Sequence, residues 1–354
     1  MHCLNILIVG GGLSGILVSA ELRKHGIPHQ VAHPLTDFSG TGASSGILNP
    51  VMGRKYTQVP HWELLWPACE AAYRHLEQLL QVPLLNPAVI LKRHSSEDDA
   101  VFWQQRVQAV SDYLSDATVP ELAMAWQLDT PYSYGVTQHA FQLHSHRLQK
   151  AYLALLAAEG NLIENSVPER NQNEDPSGPI SFNDTAFTHI IFCEGRNTLN
   201  RPEWAFLPLS VNKGQALVVD FEAALPRNGI IKCGKELTLC PYGDRYWWAG
   251  ASFEWKFDTD GPTDVFREQT LQRIQQYTSI PFRILESLSG FRVSAQDRTA
   301  VAGWHPKKKQ FGILNALGTK GVLQAPHAAK ALVNTLLAGK FIHNPFALER
   351  FRSS

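Results

Sequence analysis

The stretch that decides the fold is LNILIVGGGLSG, residues 4–15, in which an apolar run ends in closely spaced glycines. The residues that follow, ILVSAELRKH, have the spacing of a helix and stop at Gly26. Gly10 permits a tight turn, Gly12 lets a pyrophosphate approach the backbone, and Gly15 lets the helix pack close to the strand. A glycine-rich surface turn is the alternative. The position between a strand and a helix favours a dinucleotide site, because the helix N-terminus offers free N–H groups to phosphates.

Length and composition fit an ordinary globular protein of two domains, or of one domain with a large insertion. The chain has 354 residues, of which 44% are hydrophobic, and its 32 basic residues balance 32 acidic ones. This balance makes nucleic acid an unexpected partner. No stretch is long and apolar enough for a membrane span, and we expect no signal peptide, so a cytoplasmic location is predicted. The five cysteines lack CxxC spacing, which predicts reduced thiols and no metal site.

The second strand of the predicted fold departs from the usual dinucleotide pattern. Such folds commonly place Asp or Glu at the end of this strand, where it binds the ribose hydroxyls. Counting from the glycines, this position falls on His33. Three interpretations stay open: a neutral His33 holds the ribose, Asp37 reaches in, or backbone and water hold it.

Two further segments have the composition of ligand-binding backbone. Residues 39–50, SGTGASSGILNP, form a dense run of small residues, which suits a loop pressed against a ligand. Residues 189–195, HIIFCEG, predict a buried strand that ends in small residues at its carboxyl end. Residues 209–255 alternate strand-like runs with turn residues, which predicts an antiparallel sheet. Helices are predicted over residues 62–80, 146–159, 263–277 and 322–338.

These pieces resemble, in the same order, the D-amino-acid-oxidase-like family of FAD-dependent oxidoreductases, which includes glycine and sarcosine oxidases. The matching segments are GGGLSG at 10–15, GASSGILNP at 42–50, CEG at 193–195, VNKGQ at 211–215, GFR at 290–292 and GTKGV at 318–322. Within this family, the sequence motifs most resemble those of the oxidase half of the bifunctional tRNA methylaminomethyl-2-thiouridine enzyme. The methyltransferase half of that enzyme has no counterpart here. The resemblance spans nearly the whole chain.

The resemblance implies an α/β fold with a Rossmann-like FAD-binding domain and a second, substrate domain built on an antiparallel sheet. The FAD-binding domain would comprise residues 1–60, 140–205 and 285–354. The substrate domain would comprise residues 61–139 and 206–284. FAD is expected to be non-covalent, because the cysteine that attaches it in some sarcosine oxidases has no match between Arg292 and Gly318.

The resemblance also implies a set of site residues. The expected FAD-binding residues are Gly10, Gly12, Leu13, Ser14, Gly15, His33, Ser44, Ser45, Gly46, Val167, Cys193, Gly195, Gly318, Thr319, Lys320, Gly321 and Val322. Arg292 is expected to bind a substrate carboxylate through its two-pronged guanidinium, and Arg54 and Tyr56 would line the same pocket. Lys320 is expected to stabilise negative charge on reduced flavin, together with the helix that follows it. Both Arg292 and Lys320 are therefore assigned catalytic roles.

Each of these assignments has a structural alternative. Arg292 could instead form an ion pair with Asp297 or Glu286, and Val293 stands where the family often has proline. Lys320 could be a solvated lysine at a helix entry, and Arg54 and Tyr56 could be structural. The evenly spaced His139, His144 and His146 are interpreted as residues of one strand face rather than as metal ligands.

The expected function is oxidation of the C–N bond of a small amine or amino acid, by hydride transfer to flavin N5. The electron acceptor would be O2 or another molecule. Two alternatives remain: an oxidase that modifies a tRNA wobble uridine, and a flavin-binding protein without turnover.

Overall fold

A computed structural model describes residues 4–34, 38–53, 55–117, 121–165, 180–234, 236–340, 342 and 344–351. Its strands are β1 Ile6–Val9, β2 His29–Ala32, β3 Ile47–Leu48, β4 Val51–Met52, β5 Thr57–Gln58, β6 Leu85–Arg93, β7 Leu114–Ala117, β8 Tyr134–Leu143, β9 Leu162–Ile163, β10 Ile180–Phe182, β11 Thr185–Phe187, β12 His189–Phe192, β13 Leu209–Phe221, β14 Gly229–Cys233, β15 Leu237–Tyr242, β16 Tyr246–Gly250, β17 Phe282–Ala295, β18 Val301–Trp304 and β19 Phe311–Asn315. Its helices are α1 Leu13–Lys24, α2 Trp62–Leu80, α3 Glu97–Ala109, α4 Glu121–Ala125, α5 Ser145–Ala158, α6 Asp264–Tyr277 and α7 Gly321–Ala338. Short 3-10 helices cover Gly195–Asn200, Pro202–Trp204 and Leu348–Phe351.

The smaller of the two main sheets is the predicted Rossmann-like sheet. Its strand order is β18-β19-β12-β1-β2-β9, and β1 pairs in parallel with both β2 and β12. Strand β1 is wholly buried, as expected for a parallel strand with helices on its faces. Because β1 and β12 are parallel neighbours, with Val9 opposite Phe192, the glycine turn after β1 lies beside the segment that follows β12. The predicted strand–turn–helix over residues 4–26 is confirmed.

The larger sheet, in the order β17-β13-β16-β15-β14-β6-β8-β3, contains the predicted antiparallel segment. Strands β13 to β16 pair antiparallel, as residues 209–255 predicted. Strand β14 has a parallel neighbour, β6, which comes from the preceding segment of the chain. The α/β fold class with a second, sheet-built part is therefore confirmed.

The strands do not break at the predicted domain boundaries. The boundary at residue 285 cuts β17, which pairs along its length with β13, and the boundary at residue 140 cuts β8. Arg292, which was placed in the last segment of the FAD-binding domain, consequently stands on the larger sheet. The division of the chain into two domains remains a prediction.

The interpretation of three histidines as one strand face is wrong. His139 lies in β8, whereas His144 caps α5 and His146 lies in the first turn of that helix. The strand ends at Leu143, so the alternation does not continue through these residues. His146 instead stacks on Tyr242 with ring centroids 4.3 Å apart. Among the described residues no group of three or more His, Cys, Asp and Glu could hold a metal ion, and none of the described helices has the length and hydropathy to cross a membrane.

Candidate active site

A cavity of about 870 Å3 lies where the two sheets meet. One wall is formed by the turn after β1, the segment after β12 and the N-termini of α1 and α7. The other wall is formed by one face of the larger sheet, through residues of β13, β14, β15, β16 and β17. The cavity therefore joins the carboxyl ends of parallel strands, where open α/β sheets bind their ligands, to the second sheet.

Three of the four glycines in the first turn have different surroundings: Gly10, Gly12 and Gly15. At Gly10 φ is +108°, and a Cβ would overlap the Cys193 carbonyl oxygen; a Cβ at Gly15 would overlap the Gly10 carbonyl oxygen. Both glycines are therefore required by the packing of the protein itself. A Cβ at Gly12 would meet only the Thr41 hydroxyl oxygen, at 3.2 Å. Gly12 lines the cavity, whereas Gly15 does not.

Helix α1 begins at this cavity without a capping side chain. Gly12 is its N-cap, and no side chain hydrogen-bonds to the cap. The Leu13 N–H donates to the Thr41 hydroxyl at 2.9 Å, but the N–H groups of Gly12 and Ser14 donate to no described residue. Uncapped N–H groups at a buried helix start are the usual donors to a phosphate. Leu13 and Ser14 both line the cavity.

His33 lies at the end of β2, at the position predicted for the ribose, and lines the cavity. Its Nδ1 accepts a hydrogen bond from the Gly11 N–H at 3.2 Å. A backbone N–H always donates, so Nδ1 carries no proton, and Nε2–H is left as a donor. Burial lowers the pKa of His33, which favours this neutral form. A donor thus stands where the usual carboxylate would accept; Asp37, the other candidate, lies outside the described residues.

The small-residue loop is attached to the larger sheet by side-chain donors. Trp248 Nε1 donates to the Ala43 carbonyl at 2.9 Å, and Gln142 Nε2 donates to the Ser45 carbonyl at 2.9 Å. Ser44 and Ser45 line the cavity. Gly46 does not; its φ is +66°, and a Cβ there would overlap the Leu143 carbonyl oxygen. Gly46 is thus explained by close packing against β8.

The segment after β12 is held by polar contacts of buried residues. Glu194 and Arg201 form a salt bridge at 2.7 Å, and both side chains are 9% exposed. Asn315 Nδ2 donates to the Gly195 carbonyl at 2.9 Å. Cys193 and Gly195 line the cavity. Burial raises the pKa of the Cys193 thiol, so the thiol stays protonated and unreactive.

The N-terminus of α7 reaches the cavity in the same way as that of α1. Lys320 is the N-cap, no side chain caps the helix, and the N–H groups of Gly321 and Val322 donate to no described residue. The first turn is held from behind by Tyr73, whose hydroxyl donates to the Val322 carbonyl at 2.7 Å. Burial and then the nearby Arg298 lower the pKa of Lys320. The other predicted residues of this segment also line the cavity: Gly318, Thr319, Gly321 and Val322.

Arg292 lines the cavity without the ion pair that was the alternative interpretation. Its Nη1 donates to Asn212 Oδ1 at 3.0 Å and to the Ser252 carbonyl at 3.2 Å. Asp297 pairs with Arg350 instead, and Glu286 makes no salt bridge to Arg292. Burial lowers the pKa of the guanidinium, and the nearby Glu254, which forms no salt bridge with it among the described residues, opposes that shift. The guanidinium lies over Gly214, where a Cβ would come within 2.5 Å of its Cζ.

The remaining predicted site residues are not brought into the cavity. Tyr56 does not line it; the ring packs on Trp103 with centroids 4.9 Å apart, and its hydroxyl accepts from Lys92. Arg54 and Val167 lie outside the described residues. Sequence reasoning missed several lining residues of the larger sheet, among them Gly214, Lys232, Thr238, Trp248 and Gly250. Of these five, only Gly214 stood in a recognised motif, the KGQ segment.

The fold and cavity define a class of protein: a dinucleotide-binding protein whose ligand cavity is closed by a second sheet. The family model described as FAD dependent oxidoreductase, DAO, matches residues 5–335. The chain belongs to this family, is an FAD-dependent oxidoreductase, and uses the cofactor of that family.

Solved structures share this fold over nearly all of both chains. Glycine oxidase from Geobacillus kaustophilus is 20% identical, with a TM-score of 0.75 and coverage of 99% of this chain and 98% of that one. Iminodiacetate oxidase from Chelativorans sp. BNC1 is 18% identical, with a TM-score of 0.76 and 98% coverage of each chain. L-proline dehydrogenase from P. horikoshii is 15% identical, with a TM-score of 0.73 and coverage of 98% and 96%. At these identities the likeness establishes the fold alone.

The residues present fit FAD. Two buried helix N-termini, those of α1 and α7, bring uncapped N–H groups to one cavity. The FAD pyrophosphate carries negative charge that would meet one of them, and the flavin, which gains negative charge when it is reduced, would meet the other. Gly12 leaves room at the first of them, because only the Thr41 hydroxyl lies near its missing Cβ. The described cysteines, Cys69, Cys193, Cys233 and Cys240, are all buried. That FAD is held without a covalent bond stays a prediction.

Proposed function

We propose that this enzyme oxidises the C–N bond of a small amine that carries a carboxylate. The observation that supports this most is the Arg292 guanidinium, a half-buried cation that lines the cavity and forms no salt bridge with a described residue. Glycine oxidase and iminodiacetate oxidase, two proteins of the same fold, are named for substrates of this kind. When bound, FAD supplies the hydride acceptor for such an oxidation.

Arg292 would bind and orient the substrate carboxylate. One of its terminal nitrogens, Nη1, is already engaged by Asn212 and Ser252, which fixes the plane of the guanidinium. The other N–H groups of Arg292 donate to no described residue and are free for a two-pronged contact. Gly214 leaves room for the guanidinium in this position, since any side chain at residue 214 would push the guanidinium away from strand β13. Such a fixed cation converts substrate binding into orientation of the reacting C–H bond.

The N-terminus of α7 would stabilise the negative charge that the reaction produces at that end of the cavity. The free N–H groups of Gly321 and Val322 and the positive end of the helix dipole are fixed before reaction, so no reorganisation is needed. Lys320 adds a cation beside them. No step in this scheme needs a protein side chain as the hydride donor or acceptor.

Anaerobic reduction of the purified enzyme tests this proposal. The protein should be yellow, with flavin that acid or heat releases, and a panel of D-amino acids, L-amino acids, glycine, sarcosine and proline should contain members that bleach it. Matched carboxylic acids without the amine should not bleach it. A flavoprotein that none of the amines reduces would overturn the proposal and favour a flavin-binding protein without turnover.

A further inference from the structure

A second cation, Lys232 on β14, lines the same cavity and is used by nothing in the scheme above. Its ammonium group makes no hydrogen bond or salt bridge within the part of the chain that the structure describes. Burial is the main cause that lowers its pKa, and the neighbouring Lys92 adds to it. The Lys232 side chain is half-buried, and the hydration that its ammonium group loses is not replaced by a contact with a described residue. Such a group is a candidate for binding a ligand.

The residues beside Lys232 on the sheet provide no carboxylate partner for its ammonium group. Across the sheet it stands in one row with Thr238, Gly250 and Ala216, which are small. Lys92, its partner on the parallel strand β6, is itself engaged by Asp99 and by the Tyr56 hydroxyl. Among the described residues, no carboxylate is therefore left to neutralise Lys232. The small neighbours Thr238 and Gly250 line the cavity beside it.

The other cations of the cavity are accounted for. Arg196 forms a salt bridge with Asp260, and Arg201 forms one with Glu194. Lys320 stands at the N-terminus of α7, on the wall assigned to the cofactor. The wall formed by the larger sheet thus presents two cations without a carboxylate partner among the described residues, Arg292 and Lys232.

These two cations are far apart on the wall. Arg292 is on β17 and Lys232 on β14, four strands along the order β17-β13-β16-β15-β14. The row of Lys232 meets β17 at Leu288, four residues before Arg292. Four strand spacings of roughly 19 Å and an offset of roughly 13 Å along the strand separate the two backbones by roughly 23 Å on a flat sheet. A ligand of the size of glycine, bound by its carboxylate at Arg292, would not reach Lys232. A longer ligand with an anionic group at each end would.

We propose that Lys232 binds a second anionic group of the substrate, so that the enzyme prefers an elongated amine with two carboxylates over a monocarboxylic one. This inference rests on the proposed function, in which Arg292 binds the first carboxylate. Lys232 is then a specificity-determining residue: it contacts the end of the substrate remote from the C–N bond.

Binding of unreactive acids tests Lys232 without any turnover. The acids are a series of dicarboxylates from succinate to pimelate, each compared with the monocarboxylate of equal length, and binding to the FAD-loaded protein is measured by calorimetry. At least one dicarboxylate should bind tenfold or more tightly than its monocarboxylate. Lys232→Met should remove this preference while monocarboxylate affinity stays unchanged, and Lys232→Arg should retain it. Lys309→Met, at an exposed lysine outside the cavity, is the matched control.

Turnover and stability give second readouts. With glutamate and 2-aminoadipate of both configurations, Lys232→Met should raise KM at least tenfold, and with their uncharged amides KM should not change. The unliganded Lys232→Met protein should unfold at a temperature equal to or above that of the wild type, because an unpaired, half-buried charge has been removed.

The inference and the proposed function fail in different ways. If monocarboxylic amines reduce the flavin and no dicarboxylate preference exists, or if the preference persists in Lys232→Met, the role of Lys232 is wrong and the proposed function stands. If neither class of amine reduces the flavin, the proposed function itself is wrong. A preference that Lys309→Met removes equally would also overturn the inference.

Discussion

Replacement of Gly12 by alanine should separate the loss of FAD from the loss of the fold. Gly12 has φ −81° and ψ −171°, which alanine adopts without strain, and its Cβ would meet only the Thr41 hydroxyl oxygen at 3.2 Å. The protein therefore tolerates the methyl group. The added methyl points into space that the cofactor pyrophosphate is predicted to occupy, so the cost falls on binding.

The size of the effect follows from the hydrogen bonds at stake. A methyl group at this position displaces a phosphate from the free N–H groups of Gly12 and Ser14, so one charge-assisted hydrogen bond, worth about 1.5–3 kcal/mol, is lost. The dissociation constant for FAD should rise by roughly ten- to a hundred-fold, since about 1.4 kcal/mol corresponds to a factor of ten. The free energy of unfolding of the FAD-free protein should change by less than about 1 kcal/mol.

Gly15→Ala is the matched control, because it makes the same chemical change three residues further on. A Cβ at Gly15 would overlap the Gly10 carbonyl oxygen and lie 3.3 Å from Ile8 Cγ2. Helix α1 would have to move away from β1, so this variant should lose about 3 kcal/mol of unfolding free energy even without FAD. Urea unfolding of the FAD-free proteins and fluorescence titration with FAD measure the two quantities separately.

Two outcomes would refute this reasoning. Gly12→Ala with unchanged FAD affinity would show that the turn after β1 does not hold the pyrophosphate. Gly12→Ala that destabilises the FAD-free protein as much as Gly15→Ala would show that Gly12, too, is needed for packing. Gly12→Val should strengthen the FAD effect, because a branched side chain fills more of the same space.

Three further predictions concern the substrate wall and His33. In Gly214→Ala, the new Cβ would lie 2.5 Å from the Arg292 Cζ, whereas ordinary contacts are about 3.5 Å, so the guanidinium should move by about 1 Å. In steady-state assays the KM for carboxylate substrates should rise, while the FAD content is unchanged. Arg292→Lys should cost about 2 kcal/mol in kcat/KM for amino acids and far less for amines without a carboxylate, and equal losses would make Arg292 structural. Burial lowers the pKa of His33 below its unfolded value near 6.5. The stability that His33 contributes should therefore be complete above that pH and fall as the pH drops. The difference in free energy of urea unfolding between the wild type and His33→Asn should shrink as the pH is lowered from 8 to 5.

The parts of the fold that the sequence predicts are those with local causes. The turn after β1 follows from four glycines within six residues, and helix α2 is found at its predicted bounds because a single run of residues specifies it. Tyr56 shows where local reasoning fails. It is near the small-residue loop in sequence, yet with φ at 44° its ring lies against Trp103, outside the cavity. Proximity along the chain did not determine the direction of the side chain.

Lys232 could not be predicted, because its exposure to the cavity is produced by distant pairing. The strand that carries it, β14, pairs in parallel with β6, about 140 residues earlier, and antiparallel with β15. A single lysine in an apolar strand has no local signature that separates a cavity position from an edge position. Arg292 was found only through its motif. Its support, Gly214, lies on strand β13, which pairs with β17 from a distant part of the chain, with Asn212 opposite Arg292.

The two walls of the cavity differ in the kind of group that each presents, so substitutions on the two walls should affect different ligands. The cofactor wall presents mainly backbone N–H groups of α1 and α7, whose positions depend on glycines and helix starts. The substrate wall presents side chains on β14 and β17, which can be exchanged while the strand pairing stays intact. Substitutions at Lys232 and Arg292 should therefore alter which acid is bound without altering FAD binding, and substitutions at Gly12 should alter FAD binding without altering which acid is bound. Effects at such separate positions should be additive, so the double variant Gly12→Ala with Lys232→Met should show both losses in full.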